Sequence, residues 1–522
     1  MKSTLFSKSS RALAASLLCV AGFAAAQSAG QPPANPYLAA PRLAITHVDS
    51  AQSDAFPWPV ERGFFSVDPR AFPRVVAGPV NVMTLASTSP DYMWGVSSEG
   101  VSYIDVSEGR LREVARMPAQ HTRLISAVTH ARVLDQTFTS VEQIRKAVSE
   151  AYGVDWTRAV NGAYSLVDRD NHVYFNSTNG KISKFGLLDA MHPEAGIRLL
   201  KTIDMTPIIG RSFLIGMGMT YDGKFVVAST TTLSVLDRSL EGQAYTVRFA
   251  PDEVVSNSFC IDAHGGIYVA SSRALHKLVW TGTKLSEDET DGAWKAPYEH
   301  GQGTGSTPTL MGNGLDADKL VVITDGAPRM NLVAFWRDAI PAGWKPVPGT
   351  PSARIAGQIP VTAGLAKLPD VIQSRRSVAV SGYGAFVANN AARKRDKDRL
   401  VDVLALGPVN PPASGVERFE WDRRAHRWRT VWARGDVVSV SMVPSISTGS
   451  SMVFVNGYYP QSGWEITGMD WNTGATVHRV SLGQGNLGNG AYGVVEYLPD
   501  GDLLFNSIGG PIRIALKNAP GA

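Results

Sequence analysis

The chain has 522 residues, 44% of them hydrophobic and 18% charged, with a formal net charge of +4 at pH 7. So small an excess excludes the electrostatic footprint of a nucleic-acid binder, and two cysteines exclude a disulfide framework. The length can bury a large core without either device.

In chain order, the first element is an export signal. Lys2, Lys8 and Arg11 precede an apolar run over 12–23, and Ala24, Ala25 and Ala26 form an A-x-A site before Gln27. The run is too short to span a membrane as a helix, and no later stretch is long enough. A periplasmic or secreted soluble protein is therefore expected, cleaved after Ala26. Leu18 is bulky where a lipobox before Cys19 would need a small residue. Cleavage takes away three positive charges and no negative ones, lowering the net charge from +4 to about +1. It leaves Cys260 alone, so no intramolecular disulfide can form and a buried, inert thiol is expected.

Residues 27–75 are rich in Pro and Ala, which rules out an ordinary helix. Such a segment runs extended along the surface or adds a strand to the last blade of the fold that follows. Residues 76–522 read as that fold. A phrase recurs in them: apolar segment, turn with Asp, Asn or Gly, second apolar strand, small polar cluster. It is clear at 161–178, 215–230, 257–272, 307–326 and 489–510, and looser at 81–100, 377–390 and 439–458. Strand, Gly-containing turn and strand mark a hairpin, and recurrence marks a repeat architecture. The fold class is all-β, a β-propeller. Eight copies over about 440 residues give roughly 55 per blade and favour eight blades, although seven with long insertions produce the same string. A helical insertion interrupts the pattern at about 119–155. Within it Val141, Ile144, Val148 and Tyr152 recur at helical spacing between Thr139/Ser140 and Gly153.

The outer-strand ends at 102–114 and 468–480 resemble the Asp-x-x-Thr-Gly repeats of quinoprotein-type propellers, and 257–272 resembles blades of the gluconolactonase and strictosidine-synthase families. The resemblance implies the propeller fold rather than an activity. The chain lacks the adjacent-cysteine pair and regular tryptophan-docking signature of quinoprotein alcohol dehydrogenases, which disfavours pyrroloquinoline quinone (PQQ) and a quinone-dependent oxidoreductase.

Topology locates a site where no motif does. In an antiparallel meander, the start of the first strand and the end of the second share one sheet edge, and around a propeller these edges ring one mouth of the channel. Strand starts place Asn81, Asn161, Asn257, Ser306 and Asn489 there; strand ends place Glu99, Asn176, Asp325, Asn389, Asn390, Asn456 and Asn506. Asparagine is favoured by turn chemistry; the competing reading is a ring of amides that binds a polar ligand or Ca2+. Asn257, Asp325 and Glu99 are the candidate metal ligands.

The lead-in to the fifth repeat is glycine-rich and carries Glu299 and His300. Asp325, Arg329 and Asn331 follow within seven residues at its rim. Ionisable residues clustered on a rigid rim mark candidate chemistry. Asp325, His300 and Glu299 are thus the expected catalytic groups, with Arg329, Asn331, Asn161, Asn257, Asn489 and Asn506 as ligand-binding groups. His121 and His130 could face a lid over the mouth. The G-x-G-x-x-G match at 483–488 precedes a strand and reads as a turn. The expected function is hydrolysis of a small ester or lactone at the channel mouth; the alternative is a non-catalytic binding or assembly module of the cell envelope. The expected partner is a small molecule, with no nucleic acid and no transmembrane segment, and oligomeric state is not legible.

Overall fold

The computed structural model describes residues 30–120, 122, 124–153, 161–177, 179–298, 306–314, 318–392, 394–440 and 442–518. The signal at 1–26, His121, Glu299 and His300 lie outside them. Among the described residues no helix is long and apolar enough to cross a membrane.

The fold is an all-β propeller whose sheets follow one another in chain order. Among the described residues, seven sheets carry four or more strands each, with first strands Met83–Ala86, Leu166–Val167, Leu214–Met219, Val255–Ile261, Thr309–Met311, Ala379–Ser381 and Ser445–Ser447. An eighth sheet has three strands, Val495–Tyr497, Leu503–Ser507 and Gly510–Ile514. Its outer edge is completed from the other end of the chain. Arg74 bridges Ile512 antiparallel, and the amides of Val75 and Ala77 each donate at 3.0 Å, to the Pro511 and Gly509 carbonyls. Among the described residues the complete blades number seven, the second of the two counts that the repeat allowed, and the three-stranded sheet closes the ring. Apolar clusters bridge successive sheets, and Val75, Ile104, Leu111 and Leu504 join the eighth to the first.

The repeated phrase has a local cause. Asp168 accepts from the amides of Asp170 (3.0 Å) and His172 (2.9 Å) with one oxygen and from the Tyr174 hydroxyl (3.0 Å) with the other. Asp262 does the same with His264, Gly266 and Tyr268. An acidic cap thereby fixes the turn and ties it to the second strand six residues on. In the latter turn Gly265 adopts φ +86°, where a Cβ would lie 2.3 Å from the Trp280 carbonyl oxygen.

The Pro/Ala-rich segment adds edge strands, and it also does what its composition did not suggest. Residues 44–56 are all buried, because they run through the central channel. Carbonyls of this segment accept from the innermost strands in turn: Leu43 from Ala86, Ala44 from Val167, Ser50 from Ile261, Ala51 from Leu310, Ser53 from Val380 and Asp54 from Ile446. The Asn35 amide donates to Met219 O of the third sheet. Ala55–Phe56 then pairs parallel with Ile446–Ser447 on the inner edge of the seventh sheet, and Gly63–Ser66 pairs parallel with the outer strand Thr476–Gly483. An inner strand edge otherwise leaves backbone groups without partners; here the chain's own beginning satisfies them.

The insertion contains two helices, Ala127–Leu134 capped by Ser126 and Val141–Tyr152 capped by Ser140, the second ending at Gly153. They pack with the helix Arg399–Ala405 in a cluster that includes Val80 and Ala491. Both of these residues precede first strands, so the helices sit over the mouth end of the channel. Cys260 is buried, and burial raises its thiol pKa far above the ordinary value.

Candidate functional site

At the mouth end, above the threaded segment, the channel holds a cavity of about 70 Å³. Its walls come from residues far apart in sequence: His47 from the threaded segment, Asn81 and Tyr164 before first strands, Asn257 within the first strand Val255–Ile261, Arg375 and Arg376 before the sixth, Arg399 from the covering helix and Tyr492 before the eighth. Among the described residues, no Asp or Glu lines it.

Three features set its chemistry. The first is a histidine held by a carboxylate. His47 Nδ1 lies 3.3 Å from Asp54 Oδ1, while Ser377 Oγ donates to Asp54 Oδ2 at 2.9 Å. Burial raises the Asp54 pKa and the neighbouring His47 opposes that rise. With Nδ1 directed to Asp54, Nε2 is the nitrogen left for chemistry. The ring stacks on Tyr164, 5.9 Å between centroids.

The second is an excess of cations. The guanidinium groups of Arg376 and Arg399 lie 4.8 and 4.5 Å from the centroid of the Tyr492 ring. Among the described residues, neither they nor Arg375 form an ion pair. Arg376 Nη1 donates to Arg375 O at 2.9 Å, and Arg399 Nη2 to Asn81 Oδ1 at 3.3 Å. Arg376 Nε is buried without a hydrogen-bond partner among the described residues. Arg376 retains some accessible surface, yet the surrounding protein holds it away from bulk water, and this desolvation lowers its pKa to about 10. It stays charged at neutral pH, so the cost of enclosure is not relieved by losing a proton.

The third is backbone strain. Asn81, Tyr164 and Tyr492 have φ of +53°, +59° and +68°, and in the threaded segment Val48, Gln52 and Asp54 have φ of +67°, +60° and +56°. Side-chain-bearing residues avoid this region unless the surroundings impose it, and such outliers gather at functional sites.

Of the residues expected from sequence, Asn257 lines this cavity and accepts from the Tyr164 hydroxyl at 3.2 Å. The other asparagines mostly staple backbone. Asn161 donates to Ser98 O, Asn489 donates to Val403 O, and Asn456 spans Glu465, Gly488 and Gly490. Asn506 exchanges hydrogen bonds with Thr84 and donates to Glu496, a carboxyl that burial pushes up to about 7. Asp325 is buried and organises its own loop. It accepts from the amides of Ala327 and Asn331 at 3.2 and 2.8 Å and from the Asn331 side chain at 2.6 Å. Arg329 is exposed, its backbone bridged to Ile372. Glu99 is buried in the first sheet, where it accepts from the Ile125 amide at 2.8 Å, and His130 Nε2 lies 3.4 Å away. His130 Nδ1 lies 3.1 Å from the Tyr152 hydroxyl, so that histidine ties the insertion to the ring.

The three candidate metal ligands therefore stand in three settings: Glu99 under the insertion, Asp325 in its loop, Asn257 in the cavity. Among the described residues, the group of His and carboxylate donors compact enough for a metal is Asp168, Asp170 and His172. Lys184 and Arg238 lie 3.5 and 3.6 Å from Asp168, and Arg238 also pairs Asp170, so cations already supply the charge an ion would bring.

His47, Asp54, Tyr164, Arg376 and Tyr492 were not singled out from sequence, and Arg399 stands there in the sign-alternating run 393–399, which reads as a solvated loop rather than a phosphate-binding patch. One signal for two of them was present: Asn-Gly-Ala-Tyr occurs both at 161–164 and at 489–492. Each copy delivers a tyrosine with left-handed φ to the same cavity.

No protein-family model matches the chain. A protein of Archaeoglobus fulgidus, described as uncharacterised, is 30% identical over 382 residues, spanning 68% of this chain and 70% of that one. BamB from Moraxella catarrhalis is 12% identical with a TM-score of 0.34, covering 66% of this chain and 90% of BamB. U3-55K is 8% identical with a TM-score of 0.38, covering 75% of this chain and 94% of that one. Likenesses this distant say nothing about activity.

Proposed function

The chain belongs to the family of that Archaeoglobus fulgidus protein, and we propose that it is an exported enzyme hydrolysing a small anionic ester or lactone in the channel cavity. The observation that carries this reading is the Asp54–His47 pair beside the unpaired guanidinium groups of Arg376 and Arg399. Asp54 fixes the imidazole so that Nε2 can take a proton from water. The resulting hydroxide attacks the acyl carbon, whose carbonyl electron pair moves onto oxygen opposite the guanidinium and phenol donors. The carbonyl re-forms, the acyl C–O bond breaks, and the proton on His47 passes to the leaving oxygen. Acid and alcohol leave, and the histidine is restored. Export rests on the signal at 1–26 and is tested by sequencing the mature N-terminus, expected at Gln27.

The excess of cations favours a second reading, since it needs an anion but no reaction: a binding module of the cell envelope. Assaying the mature protein against a panel of aryl esters and lactones separates the two. Turnover that falls with His47→Ala supports the enzyme; anion binding without turnover on any substrate supports the module.

A further inference from the structure

We propose that the cavity is built for a small dianion, a phosphoryl or sulfuryl group or a closely spaced pair of carboxylates, held by the guanidinium groups of Arg376 and Arg399. This rests on the cavity being the ligand site, as read above, and not on what reaction follows.

The charge balance is the first argument. The guanidinium groups of Arg376 and Arg399, both part-buried, line one cavity with Arg375, which is exposed, and among the described residues no carboxylate stands in its wall. Asp54, the buried carboxylate beside His47, is engaged by His47 and Ser377. One negative charge would compensate one guanidinium and leave the next facing it across a region of low dielectric; two charges compensate both.

Geometry is the second argument. Both guanidinium groups are parked on the Tyr492 ring, and among the described residues each has one hydrogen bond to a neutral oxygen. A guanidinium carries five N–H donors in a planar fork that matches the oxygens of a carboxylate or phosphate. Here most of those donors, Arg376 Nε among them, are left for a ligand. Tyr164, Asn257 and Thr307 add neutral polar groups around the same space. Met83 and Val443 form an apolar wall for the remainder of the molecule. At about 70 Å³ the cavity admits a compact anion or one end of a larger ligand.

The test is calorimetric titration of the mature protein with sodium phosphate, sulfate, succinate and acetate at constant ionic strength held with chloride. At least one of the three dianions is expected to bind about tenfold or more tighter than acetate. Preference for phosphate or sulfate over succinate assigns a tetrahedral group, and the reverse assigns a pair of carboxylates. Arg376→Gln is expected to weaken that binding about tenfold or more, with Arg399→Gln acting in the same direction. If Arg376→Gln does not fold, Arg376→Lys keeps the charge and loses the fork, and several-fold weaker binding is expected. Dianions no tighter than acetate, or binding unchanged in the folded Arg376 variant, would overturn the proposal. Because the readout is heat of binding, absence of turnover on every ester leaves it standing, and turnover without dianion binding sinks it alone.

Discussion

Asp325 and Arg376 both stand at the mouth end of the ring and both belong to clusters of polar residues, but their charges are differently engaged. Among the described residues, hydrogen bonds to Asp325 run within one loop, from Ala327 and Asn331 to the carboxylate. Around Arg376 they do not close: three guanidinium groups share a cavity with neutral polar groups, and a buried Nε has no partner among the described residues. A cluster adjacent in sequence tends to satisfy itself, because the residues that meet are the ones a turn brings together. An imbalance arises where distant segments converge, and it marks the place where something from outside completes the structure.

Several experiments would break or sharpen this contrast. The largest effect is expected from deleting residues 27–56, which removes the segment that satisfies seven inner strands and supplies His47 and Asp54. Loss of the cooperative melt, followed by circular dichroism, is the expected result; a native-like melt would show that the ring stands without its filling. Next, His47→Ala is expected to lower kcat/KM about 10²- to 10⁴-fold, the scale of a lost general base, with little change in Tm. Asp325→Asn should show the opposite pattern. A buried acceptor of three hydrogen bonds is weakened, at about 1–3 kcal/mol, while turnover per folded molecule stays within about twofold. A hundredfold loss of turnover in that variant would put Asp325 in the site and erase the distinction.

The smallest effect concerns pH. Glu496 accepts from Thr84 at 2.8 Å and from Asn506 at 3.3 Å, and burial raises its pKa from 4.5 to about 7. The folded state therefore holds this proton more tightly than the unfolded chain does. Its contribution to stability is complete below pH 4.5 and is lost as pH rises through about 7. Thermal melts from pH 5 to 8 should show the wild type losing on the order of 1 kcal/mol that Glu496→Gln retains. A parallel pH dependence in both proteins would remove Glu496 as the cause.

The ring was legible because its cause is local. Asp168 with Tyr174 and Asp262 with Tyr268 repeat one turn device, and alternating apolar strands follow each. The mouth was legible from topology, and Asn81 and Asn257 do stand in its cavity. The cavity's chemistry was not. His47 and Asp54 lie in a stretch whose proline content indicates only that it is extended, not where it runs. Arg376 and Arg399 look like ordinary surface cations until the sixth repeat and the helix after it are folded against the eighth. Only the twin Asn-Gly-Ala-Tyr quartets pointed there, since two identical turns in different sheets are more than hairpin chemistry needs.

The outer edge of the eighth sheet, completed by residues 73–77, sets a timetable for biosynthesis. The strand that accepts this edge, Gly510–Ile514, is made more than four hundred residues after its neighbour. Domains otherwise begin to fold from the N-terminal side during synthesis. Here the circle cannot be sealed until Ile514 has been made, and the threaded segment must lie inside before the sealing happens. A ring held open in this way acquires its cavity only when the eighth sheet closes it.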